Sequence, residues 1–111
     1  MKKKFIILSF LVCCACSSKA EYQQITCDKI TSDMIIIDVR SAAEYKFGHL
    51  DNAINIDLDN LNSDSLKDIS KDSKIVLYCQ TGRRSKEASE ILLNMGYKNV
   101  YDLGAMSNCQ N

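Results

Sequence analysis

The chain has 111 residues, with 14 Lys and Arg against 14 Asp and Glu, one His, six Cys and neither Pro nor Trp. That length supports one small domain with one modest core. A balanced charge gives no basic stripe for nucleic acid, and a lone histidine with scattered cysteines gives no ligand cluster for a metal.

The amino terminus reads as a bacterial export signal. Lys2-Lys3-Lys4 is a charged start, and Phe5 to Val12, extending to Ala15, is an apolar run too short to span a bilayer comfortably. Two endings compete. Ser18-Lys19-Ala20 is a small-x-small cleavage site that would release a soluble protein beginning at Glu21. Ala15-Cys16-Ser17-Ser18 resembles a degenerate lipoprotein box, with Cys13 where leucine is usual, and would make Cys16 the lipidated first residue. Residues 1–20 are thus the signal and 21–111 the folded domain, working in the periplasm or cell envelope. It would meet the membrane only through that lipid. Without Lys2, Lys3 and Lys4 the chain has 11 basic against 14 acidic residues, a net charge of −3.

Strands and helices alternate along the rest. Tyr22–Ile25 reads as a strand, Asp28–Ser32 as a helix, and Met34–Asp38 as an apolar strand. Asp38 and Arg40 leave the carboxyl end of that strand, the edge where open parallel sheets place their sites. Ser41-Ala42-Ala43-Glu44 is a capping box opening a helix over Ser41–Phe47 that Gly48 ends. His49, the lone histidine, lies in the following turn, and Asn52 there can take positive φ. Ile54–Ile56 is a third strand. Leu58, Leu61, Leu66 and Ile69 form one apolar stripe, predicting a covering helix over Asn60–Ile69. Ile75–Tyr78 is a buried strand, Ser85–Met95 a helix stopped by Gly96, and Asn99–Tyr101 a last strand. The tail after Ala105 is short and polar. This alternation implies a single α/β domain with a mainly parallel sheet of about five strands flanked by helices.

Chemistry concentrates at Cys79-Gln80-Thr81-Gly82-Arg83-Arg84-Ser85, between a strand and a helix. N–H groups in such a turn point inward and the helix start adds partial positive charge, which favours anions and a thiolate at Cys79. The blander reading makes Cys79 a buried core residue and Gly82 an ordinary turn glycine. Arg83 and Arg84 weigh against it, since cations at a helix start are unfavourable unless an anion compensates them.

Three segments resemble the rhodanese family: IIIDVRSAAEYKFGHLDNAINI, then CQTGRRS, which matches its Cys-x-x-Gly-x-Arg loop, then MGYKNVYDLGAM. The resemblance covers Tyr22 to Met106, and a single exported domain of this size resembles the small envelope rhodaneses of the phage-shock kind. It implies a single rhodanese-like domain and thiosulfate sulfurtransferase activity through a persulfide on Cys79. Gln80, Thr81, Gly82, Arg83, Arg84 and Ser85 would hold the sulfur anion, and Asp38 with Arg40 would brace the loop. Thiosulfate and a thiol or protein thiol are the implied partners; no cofactor or metal is required, and a monomer suffices. Phosphatases and arsenate reductases of this fold have five residues between cysteine and arginine, whereas Cys79 and Arg84 enclose four. Ser85 stands where their arginine would be. Two other functions fit the same fold: an envelope persulfide carrier with a protein acceptor, and a non-catalytic binding module.

Outside the signal, with its Cys13, Cys14 and Cys16, the cysteines are Cys27, Cys79 and Cys109, an odd number for an oxidising compartment. Cys27 and Cys109 lie near the two ends of the domain, and chain ends are often close, so a disulfide between them leaves Cys79 free. Alternatively both stay reduced, or Cys109 resolves a persulfide on Cys79.

Overall fold

A computed structural model describes residues 20–110. The expected export signal, with Cys16 and most of the Ser18-Lys19-Ala20 site, falls outside the described residues.

Five strands form one parallel sheet: β1 (Gln23–Gln24), β2 (Ile35–Asp38), β3 (Ala53–Asn55), β4 (Lys74–Cys79) and β5 (Asn99–Ala105). Their order across the sheet is β1-β5-β4-β2-β3. From β2 the chain steps outward to β3, returns across β2 to β4, then continues outward to β5. The direction therefore reverses between β2 and β4, which in open parallel sheets marks the crevice for a ligand. Asp38 ends β2 and Cys79 ends β4 at that point.

A parallel sheet must be covered on both faces, and β4 shows how the sequence meets this. Its side chains alternate: Ile75, Leu77 and Cys79 join one buried cluster with Ala88 and Leu92, while Val76 and Tyr78 join another with Ala53 and Leu103. Cys79 is thus built into the face covered by α2 (Arg83–Asn94). That helix ends in a Schellman motif, with Gly96 N donating to Leu93 O at 3.0 Å and Tyr97 N to Leu92 O at 3.1 Å. The helix α1 (Ala42–Phe47) carries the predicted capping box: Ser41 Oγ accepts from Glu44 N at 3.2 Å and Glu44 Oε2 from Ser41 N at 3.1 Å. Asn52 adopts φ 67° in the turn that follows.

Two predicted helices are corrected. Asp28–Ser32 is a single 3₁₀ turn over Cys27–Lys29. The segment Asn60–Ile69 holds only turns after a 3₁₀ helix at Leu58–Asn60. Local side chains capture the backbone there: Ser65 N donates to Asn62 Oδ1 at 2.9 Å, and Asn62 N to Ser65 Oγ at 3.1 Å. Leu61 and Leu66 are buried as the stripe required, and the Tyr97 hydroxyl reaches Leu66 O at 3.1 Å and Ile69 O at 3.0 Å. Burial without helical hydrogen bonding was a solution that periodicity could not distinguish. The last strand is longer than predicted because β5 continues past a bulge to Ala105, and a 3₁₀ turn, Met106–Cys109, follows.

Candidate active site

Cys79 is fully buried at the end of β4, and its sulfur faces two backbone amides. Gly82 N lies 3.0 Å from Sγ and Ser85 N 3.3 Å. Gly82 makes the turn possible with φ 104°, a conformation that residues with a Cβ rarely adopt. Ser85 belongs to the first turn of α2, whose N-terminal dipole points the same way. The arrangement offers hydrogen bonds and partial positive charge to an anionic sulfur and to an atom attached to it.

The two arginines separate in role. Arg84 is clasped by Glu44, with Nη1 to Oε2 at 2.8 Å and Nη2 to Oε1 at 2.9 Å. This guanidinium holds the Glu44 carboxyl down to about 2, with Ser41 adding hydrogen bonds, and Glu44 in turn raises the pKa of Arg84. Arg83 is exposed at the start of α2 and forms no ion pair among the described residues. Gln80 and Thr81 are exposed on the loop, whereas the Ser85 side chain is buried, with Oγ 2.7 Å from Asp102 Oδ1. Ser85 therefore presents its amide, not its hydroxyl, to the sulfur.

Asp38 and Arg40 form a buried pair, Oδ2 to Nη2 2.8 Å. Arg40 also donates to Gln80 Oε1 at 3.1 Å and to Gly48 O at 2.6 Å, linking the loop to the turn after α1. The Tyr78 hydroxyl donates to Asp38 Oδ2 at 2.8 Å and accepts from Leu50 N at 3.0 Å. Burial, with the Asp38 carboxyl alongside, pushes the Tyr78 phenol up to about 12, so it stays a neutral donor. His49 stacks on Tyr45 at 3.7 Å, with Nδ1 2.8 Å from Tyr45 O. Cys27 and Cys109 are disulfide-bonded, Cα atoms 5.3 Å apart, and Cys79 is the free cysteine among the described residues.

Glu44 and Asp102 were missed as site residues. The capping box accounted for one function of Glu44 and hid the second, although two arginines needing a counter-charge were the available signal. Asp102 carried no sequence signal. Among the described residues no group of three His, Cys, Asp or Glu is placed to hold a metal.

The Rhodanese-like domain family matches residues 18–109. A tRNA uridine(34) hydroxylase of Hamiltonella defensa is 41% identical over 75 residues, 62% of this chain and 21% of that protein. The chain spans about a fifth of the length of such curated relatives. Among solved structures, a rhodanese with anions from E. coli is 34% identical with a TM-score of 0.64, covering 68% of this chain and 89% of that one. A NAD-dependent persulfide reductase from A. fulgidus is 31% identical with a TM-score of 0.64, covering 81% of this chain and 16% of that one.

Proposed function

The chain belongs to the rhodanese-like family, and on that premise we propose that it transfers sulfane sulfur from thiosulfate through a persulfide on Cys79. The observation that carries this reading is the convergence of the Gly82 and Ser85 amides on the Cys79 sulfur.

The Cys79 thiolate attacks the outer sulfur of thiosulfate. The sulfur–sulfur bond of the donor breaks and sulfite leaves with its electron pair. The terminal sulfur of Cys79–S–S⁻ then lies among the loop amides, which hold the negative charge. Arg83 is the loop's arginine without an ion pair among the described residues and meets the sulfonate; Arg84 keeps the loop in place through Glu44. An acceptor thiolate next attacks the terminal sulfur, the persulfide bond breaks, and Cys79 leaves as thiolate. Two half-reactions through one covalent intermediate give ping-pong kinetics.

A protein thiol is the acceptor we favour over a small one. Phe47 is 98 % exposed and, with Arg40, Ala43, Glu44 and Gln80, lines a shallow depression beside the loop. This exposed aromatic beside the loop is the contact we assign to a protein acceptor. The curated relatives are named for a reaction on tRNA, but this chain has 11 basic against 14 acidic residues beyond Lys4, a poor match to RNA. The apolar start after Lys2-Lys3-Lys4 supports work in the bacterial envelope, either freed after Ala20 or lipidated at Cys16.

Intact mass before and after thiosulfate tests the reading, beside a Cys79→Ala variant. A gain of about 32 Da on the wild type alone, reversed by cyanide, is expected for a persulfide. A folded wild type that gains no mass would overturn thiosulfate sulfur transfer.

A further inference from the structure

Asp102 is a buried acid that the proposed chemistry leaves unexplained. It is 4 % exposed in β5 and pairs with no Lys or Arg among the described residues. A buried carboxyl group without a cation depends on hydrogen bonds, and one oxygen receives both that it has among the described residues. Oδ1 accepts from Ser85 Oγ at 2.7 Å and from Gly104 N at 2.9 Å. Ser85 Oγ also lies 3.1 Å from Gly82 O, but it has a single proton and Asp102 is the nearer acceptor.

Each contact leads to one of the sulfur-facing amides. Ser85 presents its own N–H to Cys79 Sγ at 3.3 Å. Gly104 backs the turn at Gly82: a Cβ placed on Gly82 would lie 3.8 Å from Gly104 Cα, and Gly82 N is 3.0 Å from the same sulfur. Asp102 also stands at the β5 bulge, where Leu77 pairs with Asp102 and Tyr78 already with Gly104. Bulges of this kind re-aim a strand end beside a site, and the bond to Gly104 N closes this one.

We propose that Asp102 is a positioning residue of the site, holding the Ser85 and Gly82 amides against Cys79 Sγ through the Ser85 hydroxyl and the Gly104 amide. Its effect on rate rests on the sulfur-transfer reading of Cys79, whereas its effect on the amides does not.

Asp102→Asn keeps an acceptor oxygen in place; Asp102→Ala removes it. In a ping-pong assay Asp102→Ala is expected to lower kcat/KM for both thiosulfate and acceptor by about tenfold, below the ~10²–10³-fold loss of an oxyanion donor removed outright. Asp102→Asn should stay within about threefold of the wild type, and adding Ser85→Ala to Asp102→Ala should cost little more. Amide-proton exchange at Gly82 and Ser85, followed by NMR, is the readout independent of sulfur chemistry. It should accelerate in Asp102→Ala and in Ser85→Ala but not in Asp102→Asn. Unchanged exchange in a folded Asp102→Ala overturns the positioning role, as does an Asp102→Asn as slow as Asp102→Ala. If Asp102→Ala does not fold, Ser85→Ala carries the same test. A wild type that forms no persulfide refutes the sulfur-transfer reading and leaves the exchange result to stand by itself.

Discussion

Arg84 and Glu44, 40 residues apart in sequence, are joined by two parallel hydrogen bonds of 2.8 and 2.9 Å. Bidentate geometry of this kind is specific as well as strong. It ties the last cation of the loop to the first turn of α1, so the charge of Arg84 is already matched. On the proposed chemistry, anion handling falls to Arg83 and the loop amides. Arg84→Ala and Glu44→Gln should therefore act alike, each costing about 1 kcal/mol of stability for a half-exposed pair and each slowing persulfide formation through a looser loop. The double variant should be no worse than either single one. A thiosulfate titration of all three discriminates: a raised KM in Arg84→Ala with a lowered KM in Glu44→Gln would show that Arg84 binds the donor directly.

The same pair sets an acid limit. Glu44 is held down from 4.5 to about 2 by the Arg84 guanidinium first and by Ser41 next. A carboxyl lowered on folding contributes stability that is complete above its unfolded pKa and is lost as the pH falls through its folded one. The window therefore runs from about 4.5 down to about 2. The side chains are 28 % and 35 % exposed, so solvent screening limits the effect to about 1 kcal/mol. Urea melts at about pH 5 and about pH 2.5 should show that loss in the wild type and less of it in Arg84→Ala. Equal losses would assign the acid sensitivity to other groups.

Legibility followed sequence distance. The order strand, Cys79, turn, helix is written in one stretch of residues, and the unbroken apolar run of β4 reveals a strand covered on both faces. The capping box at Ser41 and Glu44 was equally readable, because its chemistry spans four residues. What failed was decided partly by a competing local bond and partly elsewhere in the chain. The Asn60–Ile69 stripe has helical spacing, but Asn62 and Ser65 bond their own backbone and Tyr97, far along the chain, reaches the free carbonyls. Pairing of Arg84 with Glu44 and of Ser85 with Asp102 depends on which strands become neighbours. Local pattern does not contain that information.

Cys27 and Cys109 close a loop of 82 residues that spans nearly the whole described domain. Cross-linking so long a loop restricts the unfolded chain strongly, and its loss should cost about 4.5 kcal/mol. The measurement is a thermal melt of the Cys79→Ala variant, in which these are the thiols of the folded domain, with and without reductant. A fall of more than about 10 °C is expected for a domain of this size. Identical melts with two alkylatable thiols before reduction would show that the pair does not form.

Gly82 is a test of backbone geometry alone. It has φ 104°, and a Cβ there would meet Gly104 and Ala105 backbone atoms at 3.8–3.9 Å, ordinary van der Waals contact. Space is therefore not the obstacle; conformation is. Gly82→Ala must either keep the strained backbone, at a cost of about 1–3 kcal/mol, or turn the 82 amide away from Cys79 Sγ. The two outcomes separate in one experiment, a melt combined with the rate of persulfide formation. Strain retained lowers the melting temperature with a normal rate per folded molecule. A rotated amide spares stability and costs the reaction one of its two sulfur-facing donors, a loss of about 10²-fold. We expect the second, because the loop's exposed face at Gln80, Thr81 and Arg83 leaves the turn free to relax. A variant that matches the wild type in both would mean that the Gly82 amide contributes nothing to the chemistry.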